Sequence, residues 1–287
     1  GSSRFGWLLL VEPRKEGLLL AINPCLFVMG DDEGETLEEF MENLALSPAE
    51  VDILQAGFSA SVKVLGDSVE IKVMGKAGYV GNILNEQAHG LGVLHYPLND
   101  SQGREVYFGH FMTGKRHGVG VMFWTDGAKY EGEWIEDEPS GFGEEYYVDG
   151  AVYKGGFLSD MRHGSGSYQF TAERKYGGEW ENGVRHGIGI KSVAKPGGGG
   201  VFDDTACLYR MGKLLGHLDM GDARVSASLT ALNKALNLAF TAATSAKQSH
   251  KKLQVVSPIT DFLRKHILPY ASSKGFKETK KKKKKKK

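Results

Sequence analysis

Four histidines stand directly before a glycine at recurring places in this chain: His89, His117, His163 and His186. Imidazoles gathered in this way are the raw material of a zinc site, which needs its ligands about 2 Å from one ion. Their separations follow a period near 23 residues, however, and equivalent positions of stacked two-strand units lie roughly 10 Å apart. The expected arrangement is a row of histidines ordering successive turns, with no metal bound. The carboxylates Glu131, Glu133, Glu136, Asp137 and Glu138 suggest paired acids, but their crowding reads as a solvated, acidic outer face. "HGVGVMF" and "HGIGIKS" echo a phosphate-binding glycine loop without its spacing or its strand–loop–helix setting. No Ser-His-Asp order and no cysteine nucleophile signature is present. Cys25 and Cys207 cannot build a disulfide framework and fit a reducing, cytoplasmic setting. The expectation is a non-enzyme without catalytic, metal or cofactor residues.

The period itself is the stronger signal. Tyr107, Tyr130, Tyr153 and Tyr176 stand 23 residues apart, and Tyr79 precedes them by 28. Counting from each tyrosine, glycine follows at +2, a large residue at +4 (Ile83, Phe111, Trp134, Phe157, Trp180), and glycines at +11 and +13. Positions 0, +2 and +4 share one face of a strand. A turn over +6 to +10 and a second strand from about +11 make each unit a β-hairpin, and Asp126-Gly127 and Asp149-Gly150 turn the chain into the next. The 39 glycines exceed the ordinary share. Glycine inside a strand marks close approach of another group, so the aromatic rings are expected to lie across strand glycines, Gly118 and Gly141 included. One hairpin cannot bury its own face, so the units stack, each against its neighbours, into an elongated twisted sheet.

The pattern Tyr-x-Gly-x-Trp-x-x-Gly-x-x-His-Gly-x-Gly resembles the MORN repeat, and "YGGEWENGVRHGIG" (176–189) fits it at every position. Five units cover 79–191, and a degenerate sixth covers 205–216 through Thr205, Cys207, Tyr209, Gly212 and Gly216. Ile83, Ser140 and the +7 residues Glu86, Asp137 and Asp160 depart from the pattern, which predicts differently shaped turns there. The resemblance implies a mainly β fold, an elongated stack of hairpins, and a scaffold role in cytoskeletal, ciliary or membrane-junction assemblies, with phospholipid binding often proposed. It also reaches fused enzymes, SET-domain methyltransferases and phosphatidylinositol-phosphate kinases, whose catalytic domains have no counterpart here. A regulatory fragment of such an enzyme is one alternative.

The flanks differ in character. Residues 1–74 read as a small α+β segment, with capping boxes predicting helices over 37–46 and 48–56 and Val62/Val64 and Val69/Ile71/Val73 alternating as a strand pair. The hairpin array occupies 75–216. Residues 217–276 are helical: "ARVSASLTALNKALNLAFTAATSAK" puts Leu229, Leu232, Leu236 and Phe240 on one face, expected to dock on the open sheet end or on a partner. A shorter helix is predicted over 257–268. Residues 277–287 hold nine lysines and one glutamate, so the net charge of +1 conceals −7 on the remaining 276 residues. The tail reads as disordered or as poly(A) read-through. The opening "GSSR" reads as a fragment, a processed end or a cloning scar.

Two functional expectations follow. In the first, the chain is a non-enzymatic scaffold or adaptor whose aromatic-lined groove receives a helix or extended segment of a protein partner on Tyr107, Phe111, Tyr130, Trp134, Tyr153, Phe157, Tyr176 and Trp180. In the second, it is a peripheral membrane adaptor that holds anionic phospholipid through Lys115, Arg116, Arg162 and Arg185. No specific nucleic acid is expected. The sequence leaves the oligomeric state open, and a cytoskeletal or membrane-associated location follows from the resemblance alone.

Overall fold

The structure, a computed structural model, describes residues 9–14, 17–22, 25–29, 65, 69–74, 77–85, 87–197 and 200–256. The helices expected over 37–46, 48–56 and 257–268, and Val62 and Val64, lie outside these residues. The described strands form one sheet of sixteen, ordered as in the sequence. Four precede the array, the first three being β1 (Leu9–Arg14), β2 (Gly17–Ile22) and β3 (Cys25–Met29). Strand β4 (Val69–Met74) pairs parallel with β3 and antiparallel with the first strand of the array.

Six hairpins then follow without a break: β5 (Ala77–Leu84) with β6 (Gln87–His95), β7 (Arg104–Met112) with β8 (Lys115–Trp124), and β9 (Lys129–Ile135) with β10 (Glu138–Tyr146). The others are β11 (Val152–Leu158) with β12 (Met161–Thr171), β13 (Arg174–Glu181) with β14 (Val184–Ala194), and β15 (Phe202–Arg210) with β16 (Lys213–Leu218). Each hairpin closes in two residues, at +6 and +7, shorter than the turn expected from the glycine spacing. In the second to sixth hairpins both residues are left-handed, as at Thr113 (φ 49°) and Gly114 (φ 79°), the geometry that matches the twist of adjoining strands; Glu86, in the first turn, lies outside the described residues. Asp137 (φ 77°) and Asp160 (φ 65°) take the same conformation as the glycines they replace. Those turns are therefore not reshaped, because aspartate is among the few side chains that tolerate this region.

The extra length between +7 and +13 is taken up by a bulge, seen as a register shift between Pro139 and Gly143. The +11 glycines belong to it: Gly118 has φ 70° and Gly141 φ 103°. They do not lie under a ring, contrary to expectation. The glycines that do are those at +2 and +13, which pair directly across the sheet. Gly81, Gly92, Gly109, Gly120, Gly132, Gly143, Gly155, Gly166, Gly178 and Gly189 form one unbroken cross-strand track. It ends opposite Cys207. Each repeat tyrosine lies along its strand over this track and donates its hydroxyl to the carbonyl at +3, as Tyr130 does to Glu133 at 3.0 Å and Tyr153 to Gly156 at 3.0 Å. In the sixth hairpin Thr205 replaces the tyrosine. With no ring above it, the side chain of Cys207 fits where every other unit needs glycine.

Helix α1 (Ala223–Leu253) follows the array. Asp222 caps its first turn, accepting from the Arg224 N–H at 2.8 Å, and hydrogen bonds from Arg224 hold its carboxyl at about 2. The helix lies across the sheet face opposite the rings, from β14, where the Ser228 hydroxyl donates to the Ile188 carbonyl, to β7 and β8, where His250 packs on Phe108 and Phe123. It docks on the face of the sheet, not on the sheet end as expected. It buries only part of the expected face: Leu232 is covered and Leu229 packs beside the sheet, but Phe240 is 65% exposed, and the covered stripe runs on through Ala235, Ala239, Ala242, Ala243 and Ala246. The sheet beneath carries large and charged side chains, so only a row of alanines lets the helix axis approach closely enough.

Candidate functional site

The eight aromatic residues expected to face a partner are packed into the protein. Tyr107, Tyr130, Tyr153, Tyr176, Phe111, Trp134, Phe157 and Trp180 are between 0 and 7% exposed and belong to one core cluster. Within a unit and between units they meet edge to face, as Tyr107–Trp134 at 5.2 Å, Tyr130–Trp134 at 5.3 Å and Tyr130–Phe157 at 5.0 Å. This herringbone suits the ring quadrupoles. A partner that used these rings would first have to part them from one another, since no open groove exposes them.

The basic residues expected to meet phospholipid are likewise engaged. The Arg116 guanidinium sits 4.6 Å from the Trp134 ring centre, Arg162 4.6 Å from that of Trp180, and Arg185 4.7 Å from that of Tyr209. Each of these three arginines stands at +9 and covers the +4 ring of the following unit. Arg116 also donates to the Asp137 carboxylate and carbonyl. Lys115 is exposed and paired with Glu136 at 3.0 Å. The arginines are thus mortar between repeats. Backbone bonds reinforce the same joints: the +7 N–H of one unit donates to the +9 carbonyl of the unit before it, as Asp137 to Arg116, Asp160 to Pro139 and Gly183 to Arg162.

The carboxylates divide in a way the sequence did not indicate. Glu136, Asp137 and Glu138 are exposed, as expected of an outer face, but Glu131 is only 3% exposed. It lies beneath α1 opposite the equally buried Glu144. Lys129 and Lys247 reach Glu131 at 2.9 and 3.0 Å, Lys154 reaches Glu144 at 3.0 Å, and the Tyr146 hydroxyl donates to Glu144. Two buried acids thus meet two sheet lysines and one helix lysine, and breaking such a buried pair is costly because a charge is stranded. One clue was present in the sequence. At +1 only the third unit carries an acid, and the helix carries few charges, Lys247 among them.

His250 ends the row of helix–sheet contacts. Burial against Phe108 and Phe123 lowers its affinity for a proton, outweighing the attraction of Glu131, and Lys129 lowers it further. Its folded pKa lies below the ordinary value of about 6.5. The unfolded chain therefore binds the proton first as pH falls, and this contribution to docking is complete above pH 6.5 and lost progressively below it. Protection factors of the last turns of α1, which correct hydrogen exchange for its intrinsic pH dependence, should fall between pH 7.5 and 5.5 in the wild type. His250→Phe, which keeps a ring there and removes the proton site, should flatten that part of the profile.

The repeat histidines do not converge. His186 pairs with Glu181 at 2.8 Å, while His163 has a buried Nδ1 without a hydrogen-bond partner. Among the described residues no three of His, Cys, Asp and Glu gather as metal ligands would. Between α1 and the turn ends of β12–β14 runs an open cleft of about 670 Å³, lined by His163, Ser165, Glu181 and His186 on the sheet and Ala227 and Ala231 on the helix.

Comparison with protein families agrees with this geometry. The MORN repeat model matches at five segments, residues 79–97, 107–129, 130–152, 153–172 and 176–192. The chain is a MORN-repeat protein. Each matched segment falls on one of the first five hairpins, and the residues of its pattern are the tyrosine, the paired glycines and the following ring. No curated protein matches this MORN-repeat chain. The repeat places it among scaffold and adaptor modules in general. No described helix is long and apolar enough to cross a membrane.

Proposed function

We propose that this MORN-repeat protein is a non-enzymatic adaptor that presents the outside of its hairpin array to a protein partner, in a cytoskeletal, ciliary or membrane-junction assembly. The observation that carries the reading is the state of Arg116, Arg162 and Arg185, each held over a ring of the next repeat. Cations already committed to rings are poorly placed to hold lipid phosphates, while an array of regularly spaced hairpins is suited to an extended protein contact. The test pairs two assays on the chain with and without residues 280–287. Vesicles containing phosphatidylserine should bind the full chain only through the lysine tail, and the shortened chain should stay in solution. Crosslinking in cells should still join the shortened chain to protein. Salt-sensitive vesicle binding by the shortened chain, lost in Lys115→Glu/Arg185→Glu, would replace the adaptor reading with the phospholipid one.

A further inference from the structure

We propose that the turn ends of the array and the adjoining flank of α1 form a docking groove for an amphipathic helix of another protein, one with an apolar stripe beside basic residues. The proposal rests on the adaptor reading and assigns its contact surface.

The +5 position, last in the first strand of each hairpin, is the starting observation. It holds Leu84, Met112, Ile135 and Leu158 in four successive units, and these side chains are 53, 42, 52 and 50% exposed. Single exposed apolar residues are ordinary. The same exposed position filled four times running is not a scatter. Met161 and Val184, at +8 of the fourth and fifth hairpins, are also exposed and extend the row, since +8 pairs directly with +5, as Leu158 does with Met161.

Strand alternation puts +5 on the same face as +1. That is the face α1 covers, since Glu131 at +1 meets Lys247 and the α-carbon of Gly177 at +1 lies under Leu232. In the fifth unit the +5 residue, Glu181, lines the cleft opposite Ala227 and Ala231. Repeat equivalence places Leu158, Ile135 and Met112 along the continuation of that cleft. One wall is then a row of turn ends, and the other is the flank of α1 with Ala227, Ser228 and Ala231, ended by Arg224, whose charge is held by Asp222.

The spacing suits a second helix. Successive +5 positions are two strands apart, about 9.6 Å, which is about 6.4 residues of α-helix. An apolar residue every six or seven positions would therefore meet one +5 side chain after another. Helix α1 already crosses the strands in this direction, passing from Ser228 on β14 to His250 on β7 and β8, about 33 Å of helix over seven strand spacings of about 34 Å.

The charge around the row selects the partner. Glu136 is neutralised by Lys115 and Asp137 by Arg116. Glu138 and Asp160, which flank Ile135 and Leu158, have no cation within ion-pair distance among the described residues. An occupant with lysine or arginine beside its apolar stripe would complete them, whereas an acidic helix would be repelled.

Two labelled 25-residue synthetic helices test this, each with leucine at the first and fourth positions of every heptad, one with lysine and arginine elsewhere and one with glutamate. Fluorescence anisotropy against the full chain should show the basic helix binding at least tenfold more tightly than the acidic one. Ile135→Ser/Leu158→Ser should weaken the basic helix at least tenfold without moving the melting temperature, because both side chains stand in solvent. Failure of the basic helix to bind, equal binding of the two helices, or undiminished binding to the serine variant would each overturn the groove. Crosslinking in cells separates this from the parent reading. If the serine variant keeps every protein joined to the wild type, the groove falls and the adaptor stands. If neither chain joins any protein, the adaptor reading itself falls.

Discussion

Replacing Trp134 with alanine should cost about 3–5 kcal/mol of stability, the usual range for removing a large aromatic from a packed core. The side chain is 1% exposed, its indole N–H donates to the Gly120 carbonyl at 3.3 Å, and its ring meets Tyr107 and Tyr130 edge to face. Arg116 loses its stacking surface in the same stroke. Domains hold only about 5–15 kcal/mol in reserve, and an array distributes that among neighbouring units. The damage should therefore concentrate at the second and third hairpins. Urea titration gives the magnitude, and hydrogen exchange of strands β7 to β10 gives the place. Ile135→Ser, one residue along and exposed, should stay within about 0.5 kcal/mol of wild type. A folded Trp134→Ala chain of unchanged stability would mean that the ring is not core, and the aromatic face would again be a candidate contact surface.

The second large effect belongs to the glycine track. A β-carbon on Gly143 would stand 2.6 Å from the Tyr130 hydroxyl oxygen and 2.7 Å from its ring carbon, closer than non-bonded carbon allows. Tyr130 cannot retreat, because neighbouring rings pack its edges. Gly143→Val should lose at least as much as Trp134→Ala. Gly141→Val, two residues earlier, should also destabilise, by a different route: φ is 103° there, a region β-branched residues avoid. His117→Ala should cost less than either, since the side chain is only half-buried. Gly216→Ala offers the control, as no atom lies within 4 Å of its β-carbon and its φ is not in the left-handed range. Melting temperatures falling in the order wild type, Gly216→Ala, His117→Ala, Gly143→Val would support the track. Tolerance of Gly143→Val would refute it.

Much of this architecture is written in spacing that depends on short stretches of chain. Tyrosine at 0, glycine at +2 and a ring at +4 must share a strand face, whatever surrounds them, because side chains alternate. Asp-Gly at the end of a unit must turn. The period, the hairpins, their count through the degenerate sixth and the absence of a converging histidine site as an expectation all come from such local rules. The length of the turn did not, because the left-handed aspartates at 137 and 160 do not resemble the glycines whose conformation they share.

What only the tertiary structure decided concerns faces that meet at long range. Leu229, Leu232, Leu236 and Phe240 form the more apolar stripe of α1, yet beyond Leu232 the buried positions are alanines and Phe240 is left outside, because the helix packs on a sheet that already carries Phe108, Glu131 and Glu144. Glu131 and Glu133 lie two residues apart in an acidic run, but the first pairs with Lys247 under the helix and the second bonds the Phe142 N–H. From the sequence of all five units the aromatic residues read equally well as a contact surface or as plain repeat core. Stacking decided it: each ring fills the space beside the tyrosine of the preceding unit, and a surface that completes its neighbour is no longer free to receive a partner.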